Sequence, residues 1–441
     1  MNSNTARFLF FFPVRLFRSE PILRALAFVK NCEALDKNAL RKRQLDLMKQ
    51  QVELAFEKIP YFRSHWLPYF NTKTTISFWE NFARLPVMEK TDIQDHQQQF
   101  LNHEIKKTDH RGTSGSTGTP LRFVKDRQAT AFMDAVMYHA YSWYGINIGD
   151  RQARFWGLPH DNISQKMAHL KDFLMNRRRL SAFQLSPAAL QSFADQIKRW
   201  HPHYFYGYPS LLIEFARFVD EHNVNLTTLK LKAIICTGEQ LEISQKEYLR
   251  QIFNCPVVNE YGSTEVGVIG FECSLGNLHE MSSNIYLEVL KDGIPVLDEE
   301  GVVVVTELHA LTSPFIRYKI GDRGVRCSAP CPCGLPYPVI KVLSGRIDDY
   351  ILTPDGRKVY DAILAYTLKK GIKKFKAVQR EVRSLEIMIV ADDELNDEMI
   401  SKYITKLKQS VSVDMDFVFK KVSTIPQERS GKLRYFRSEI H

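Results

Sequence analysis

Between residues 36 and 58 the apolar side chains Leu40, Leu45, Leu47, Met48, Val52, Leu54 and Ala55 return at helical spacing among charged neighbours. That period predicts an amphipathic helix, stopped by Pro60. From 121 to 250 the pattern changes, and helical stretches alternate with short apolar runs. One run is 233–236 and another, Val257-Val258, follows; each precedes a glycine-bearing loop. Strands alternating with helices predict an α/β architecture whose ligands gather at strand ends. Residues 285–290 and 302–308 instead alternate or run β-branched, with Asp292-Gly293 and Glu300-Gly301 as turn signals. They predict a β-rich portion from about 270 to 344.

Near 344–350 the character changes again. A helix at 360–370, strands at 374–379 and 384–390, a helix at 394–410 and a strand at 415–422 form a βαββαβ-like string. That is enough for a small separate α+β domain. The expected division is a large α/β body at 1–344 and a smaller domain at 345–441.

A chain of 441 residues favours two or three domains, and an apolar content of 44% argues against wholesale disorder. The net charge of +10 suits an anionic small molecule, nucleic acid or an acidic membrane, without choosing among them. Residues 8–12 are all Phe or Leu, but Pro13, Arg15 and Arg18 interrupt an apolar stretch already too short to span a bilayer. No small-residue cleavage site follows. The expectation is an apolar arm packed on the body, with a peripheral membrane contact as the alternative.

Residues 113–120 read Thr-Ser-Gly-Ser-Thr-Gly-Thr-Pro. Gly115 and Gly118 allow close backbone approach to a ligand, while Ser114, Ser116, Thr117 and Thr119 supply donors around an anion-binding concavity. The Gly-Lys-Ser/Thr ending of a Walker loop is absent. A second motif runs from Asn259 through Glu260, Tyr261, Gly262, Ser263, Thr264 and Glu265 to Gly267. It offers Tyr261 as a flat face for a base and Glu265 as a carboxylate for Mg²⁺. In 317–322, Asp322 after a glycine turn can accept from two ribose hydroxyls. Gly345-Arg346-Ile347-Asp348-Asp349 falls at the expected domain junction, and Lys432 lies in 429–434.

This ordered set resembles the adenylate-forming enzymes, the superfamily of acyl–coenzyme A synthetases, luciferases and peptide-synthetase adenylation domains. The phosphate-loop form and the short chain are similar to the phenylacetate–coenzyme A ligase branch, which includes capsular polysaccharide biosynthesis proteins. The resemblance covers roughly residues 40–441. It implies a large multi-sheet α/β amino-terminal body with a small mobile α+β carboxy-terminal lid. It also implies ATP-dependent activation of a carboxylic acid as acyl-AMP, followed by transfer to coenzyme A, or alternatively to an amine such as an amino sugar. Under that resemblance Thr113, Ser114, Gly115, Ser116, Thr117, Gly118 and Thr119 grip ATP phosphates. Gly238 and Glu239 line the pocket through their backbone, and the stretch from Glu260 to Thr264 holds the nucleotide, with Tyr261 on adenine. Glu265 ligates Mg²⁺, Asp322 binds ribose with Arg346 nearby, Lys432 bridges carboxylate and α-phosphate, and Asp348 is the hinge. The chain departs from many members in having Leu121 rather than Lys after the loop proline, and Ile425-Pro426-Gln427 near the carboxyl terminus.

Three of the seven cysteines crowd into 327–333, a pattern that suits metal binding in a reducing, cytoplasmic compartment better than a disulfide framework. With Cys273 and His279, Cys331 and Cys333 make a closed tetrahedral Zn²⁺ site plausible, Cys327 being the substitute ligand and buried apolar thiols the alternative. A basic, zinc-stabilised nucleic-acid-binding protein is the competing class. Against it, the Lys and Arg residues are spread along the chain with no base-reading motif, so no nucleic acid partner is expected. The acid pocket is expected to draw on 138–143, 206–210 and 234–239.

Overall fold

A short apolar run becomes a strand when turn residues bound it, and the computed structural model follows that rule through most of the chain. It describes residues 1–69, 78–113, 121–157, 162–181, 186–346, 350–368, 370–425 and 435–440. Two compact units emerge. The first comprises Met1–Ile320 with Val325–Lys341, and the second Gly321–Gly324 with Val342–His441.

The first unit opens with the antiparallel pair β1 (Thr108–Gly112) and β2 (Arg122–Asp126), in which Gly112 lies opposite Arg122. Five strands then run parallel: β3 (Gln152–Trp156), β4 (Arg177–Ser181), β5 (Tyr204–Gly207), β6 (Ala233–Thr237) and β7 (Val257–Ser263), side by side in the order β4-β3-β5-β6-β7. The helices Pro187–Trp200, Pro209–Glu221 and Ile243–Phe253 intervene, as the alternation predicts. Beyond β7 the sheet turns antiparallel through β8 (Gly267–Glu272) and β9 (Leu278–Glu280). It continues with β10 (Ile285–Lys291), β11 (Ile294–Pro295), β12 (Glu300–Glu307), β13 (Tyr318–Arg326) and β14 (Val339–Arg346), which complete its twelve strands.

Two expected turns are not turns. Glu300-Gly301 opens β12, and a Cβ on Gly301 would meet the Leu290 carbonyl oxygen at 2.4 Å, so the glycine serves close approach between neighbouring strands. Gly321, at φ +95°, lies inside β13 rather than at a chain reversal, and Asp322 is a strand residue.

The long amphipathic helix occupies Lys37–Lys58, capped by Asp36, whose carboxylate accepts from the N–H groups of Asn38 and Ala39 at 2.8 and 2.9 Å. Its buried stripe contains two glutamines. Gln44 donates to Glu280 and to the Ile285 carbonyl, and Gln51 to the Ala310 carbonyl, tying the helix to the β-rich portion. The amino-terminal arm is helical. It turns Ala6 and Phe11 inward, with Phe11 edge-on to Tyr138 at 5.2 Å, and leaves Phe8, Leu9, Leu16 and Phe17 exposed. Arg15 and Arg18 are spent internally on buried Glu20, Asp134 and Asp109. Among the described residues no helix is long and apolar enough to cross a membrane.

In the second unit β17 (Ile372–Glu381) and β18 (Ser384–Ala391) form a hairpin, after the short pair β15 (Tyr350–Leu352) and β16 (Lys358–Tyr360). β19 (Asp416–Lys421) pairs parallel to β18, and β20 (Phe436–Ser438) parallel to β17. The helix Asp397–Ser410 buries Tyr403 and Leu407 against Leu385, Ile387 and Ile389. It starts three residues later than its periodicity predicts, because Asn396 caps it by accepting from the Met399 N–H at 2.9 Å.

Candidate active site

The serine–threonine loop sits at the end of the β1–β2 pair. Thr113 closes its base twice, donating its N–H to the Leu121 carbonyl and accepting the Leu121 N–H at Oγ1, both at 3.0 Å. Ser114, Gly115, Ser116, Thr117, Gly118 and Thr119 lie outside the described residues, as do Asp348 and Lys432; of Arg346 only the backbone, ending β14, is described. One residue before the stem ends, Arg111 donates to Thr130 Oγ1 at 2.9 Å and contacts Met133 Sδ, anchoring the hairpin on the helix Arg127–Ser142.

The same helix meets the second motif. A Cβ on Gly267 would lie 3.1–3.3 Å from three Met133 side-chain atoms. The motif is not a loop after a strand: Asn259 to Ser263 continue β7, which folds back onto β8 with Gly262 opposite Val268 and Ser263 opposite Gly267. Gly262 is required there, since a Cβ would sit 2.6 Å from the Gly267 carbonyl oxygen, and Gly267 itself has φ +80°. The reversal places exposed Thr264 and half-buried Glu265 at the tip, with the Val266 N–H donating to Ser263 Oγ. Glu265 Oε1 accepts from the Tyr318 hydroxyl at 3.3 Å, and Oε2 has no partner among the described residues. Half-buried Tyr261 packs against the core that holds Phe315 and Tyr318.

On neighbouring β6, Thr237 lies opposite Glu260, and the strand ends in Gly238 at φ +77°. The Glu239 carboxylate then accepts from Ser210 N–H and Oγ–H at 2.9 and 3.0 Å, capping the helix Pro209–Glu221. Its side chain is thereby committed to Ser210.

Glu260 points under the sheet rather than outward. It is buried, and accepts from the hydroxyls of Tyr141 at 2.8 Å and Tyr206 at 3.2 Å. Burial pushes its carboxyl above the usual range; the bonds from Tyr141, Thr237 and Tyr206 and the charge of Arg154 pull back. Arg154 and Trp156 belong to this constellation and escaped the sequence reading. Arg154 lies over the rings of Trp156 and Tyr206 at 4.8 and 4.9 Å, and Trp156 stacks on Tyr208 at 4.1 Å. The available signal was an arginine at an alternating position of a strand otherwise reading as core.

At the far side of β8, Cys273, His279, Cys331 and Cys333 bring their ligand atoms within 4.8 Å of one another. Sγ of Cys273 and Cys331 are 3.9 Å apart, and Cys333 Sγ is 3.3 Å from His279 Nε2. His279 Nδ1 lies 2.9 Å from the Tyr337 carbonyl, which fixes Nδ1 as the protonated nitrogen and leaves Nε2 as a donor to a metal. All seven cysteines are free thiols, and Cys327 is not in the cluster. A tetrahedral Zn²⁺ with bonds of about 2.3 Å separates its sulfurs by about 3.8 Å, so the donor set fits that ion.

Residues 113–307 match the family described as AMP-binding enzyme, and residues 351–439 match the CapK C-terminal domain. The chain is 23% identical to Protein CapK of Staphylococcus aureus, over 82% of this chain and 81% of that protein. It is 21% identical to the phenylacetate-coenzyme A ligase of Thermus thermophilus, over 91% and 97% respectively. A crystal structure of 2-hydroxyisobutyryl-CoA ligase, in the postadenylation state with R3-HIB-AMP, shares the fold at a TM-score of 0.73 and 20% identity, covering 93% of this chain and 92% of that one.

Proposed function

Because the chain belongs to the adenylate-forming enzymes and is an AMP-forming acid ligase, we propose that it activates a carboxylic acid as acyl-AMP and passes the acyl group to the thiol of coenzyme A. One observation carries the reading. The stem of the serine–threonine loop and the Tyr261–Gly267 reversal both seat on residues 130–133 of one helix, beside the glycine-turned end of β6. The Thr113 stem of the loop, the Tyr261 ring and a carboxylate oxygen of Glu265 thus belong to elements near the strand ends, where α/β sheets bind ligands.

In the first step a carboxylate oxygen attacks the α-phosphorus, the bond to the β-phosphate's bridging oxygen breaks, and pyrophosphate leaves. Ser114, Ser116, Thr117 and Thr119 orient the phosphates, Tyr261 the adenine, Asp322 the ribose and Lys432 the two reacting oxygens. Glu265 would hold Mg²⁺, which would neutralise charge on the phosphate oxygens. In the second step the thiolate attacks the acyl carbon and AMP leaves, with Asp348 as the hinge between half-reactions. A place in surface-polysaccharide assembly is part of the same proposal, supported by the similarity to Protein CapK. A screen of aryl, fatty, hydroxy and amino acids for pyrophosphate release, with and without coenzyme A, tests it. Acyl–coenzyme A formation is expected; an amide formed on an added amine without coenzyme A would replace the acceptor, and ADP as product would sink the adenylation step.

We further infer that Cys273, His279, Cys331 and Cys333 hold a structural Zn²⁺ that pins the segment after β13 to β8 and β9. Protein purified without chelators is expected to carry about one zinc per chain and to unfold at lower temperature once the metal is stripped. Metal-free protein of undiminished stability would contradict the assignment.

A further inference from the structure

We propose that the acid taken by this site carries a second, anionic group at its far end, received by Arg154. This rests on the adenylation reading and names its substrate class.

The strand register puts Arg154 on the same face as its neighbours Arg179 on β4 and Tyr206 on β5, with Gln152, Arg177 and Tyr204 one pleat deeper. Trp156, two residues on, lies at the strand end. Two residues of extended chain measure about 7 Å, so Arg154 lies about that far below the rim where Gly238 and the β7–β8 reversal sit.

The charges around it do not balance. Asp172 is taken by Arg179 in a two-pronged pair at 2.8 and 3.0 Å. Glu260 is held by two tyrosine hydroxyls, and its carboxyl is pushed by burial toward the neutral form. Arg177 adds a further positive charge beside Tyr138 and Tyr204. Among the described residues no carboxylate forms an ion pair with Arg154, and Glu260 and Asp172 act on it only through space; its Nε is shut from solvent and unpartnered, and so is Gln152 Oε1. Its close contacts among the described residues are the two ring faces.

A guanidinium stays charged at any physiological pH. Arg154 is half-buried, and a partly desolvated guanidinium without an ion-pair partner gains when a ligand supplies the counter-charge. With ring faces on two sides, the planar fork suits a carboxylate or phosphate received at its edge. The aromatic walls fit the short apolar linker between the two ends of such an acid.

The test compares matched acids that differ only at the far end: a dicarboxylic acid against its monomethyl ester, and a phosphorylated hydroxy acid against its dephosphorylated form. The wild-type chain is expected to favour the anionic member by about 10²-fold in kcat/KM for pyrophosphate release. Arg154→Gln is expected to bring that ratio close to 1, and Arg154→Lys to restore part of it. Without acid, Arg154→Gln is expected to melt no lower than wild type, since a merely structural arginine would lower the midpoint on removal. A wild-type preference for the neutral members, or a ratio that survives Arg154→Gln, overturns the proposal. Thermal-shift binding of the same pairs to wild-type protein reads the preference independently of turnover and of the variant's folding. Anionic preference in binding with no pyrophosphate from any acid would sink the adenylation reading and leave the anion receptor standing.

Discussion

The strands β3, β5, β6 and β7 have two faces of different constitution, one apolar throughout and one mixed. On one, Ala153, Phe155, Phe205, Ile234, Cys236 and Val257 pack against Leu190, Phe193, Leu212, Phe215 and Leu249 of the covering helices. On the other, Ala233, Ile235 and Val258 of β6 and β7 are apolar, but Gln152, Arg154, Tyr204, Tyr206 and Glu260 lie among them beside Tyr138 and Tyr141. Parallel strands covered on both sides ordinarily read as continuous apolar runs. Folding accounts for the first face, where close-packed apolar side chains leave water. It accounts less well for a buried carboxyl and four phenols beside a half-buried guanidinium, each of which costs solvation that hydrogen bonds only partly return. On the proposal made above, these polar groups are kept for the acid they receive.

Two consecutive residues of β5 separate the faces cleanly. Phe205 is fully buried on the apolar side, and Phe205→Ala is expected to lower stability by about 3–5 kcal/mol, while pyrophosphate release per folded molecule stays at the wild-type level. Tyr206→Phe removes one of the donors to Glu260 and leaves a buried acceptor short, for about 1–3 kcal/mol. Unlike the first change, it is expected to alter the acid preference. Denaturant titration and acid-dependent kinetics on both variants check the contrast; equal effects on turnover would erase it.

Much of the fold was legible in the sequence. The helix Lys37–Lys58, the strands around Ala233 and Val257 and the β-rich run from Ile285 follow from periodicity and turn residues, which act over a few positions. The convergence of Cys273, His279, Cys331 and Cys333 was legible too, because Cys273 and His279 flank one hairpin and Cys331 and Cys333 sit in one loop, so few other groupings existed. What failed was glycine. Gly301 and Gly321 look like turn residues, but the first admits a neighbouring backbone and the second bends a strand, and neither role leaves a local mark. Arg154 was missed for a related reason: that no carboxylate among the described residues forms an ion pair with it is a fact about β4, β5 and β7, which no stretch of β3 contains. Asp36 and Asn396 show the opposite case, where a single side chain sets a helix start by bonding within its own first turn.

Acid-dependent exchange of labelled pyrophosphate into ATP, run on the wild-type chain and on Lys432→Ala, tests the account most directly. The expected result is exchange only when a carboxylic acid is present, reduced about 10²–10³-fold by loss of the lysine charge. Exchange undiminished in Lys432→Ala would remove that residue from the first step. Hydrolysis of ATP to ADP and phosphate, with no acid-dependent exchange, would contradict the account as a whole.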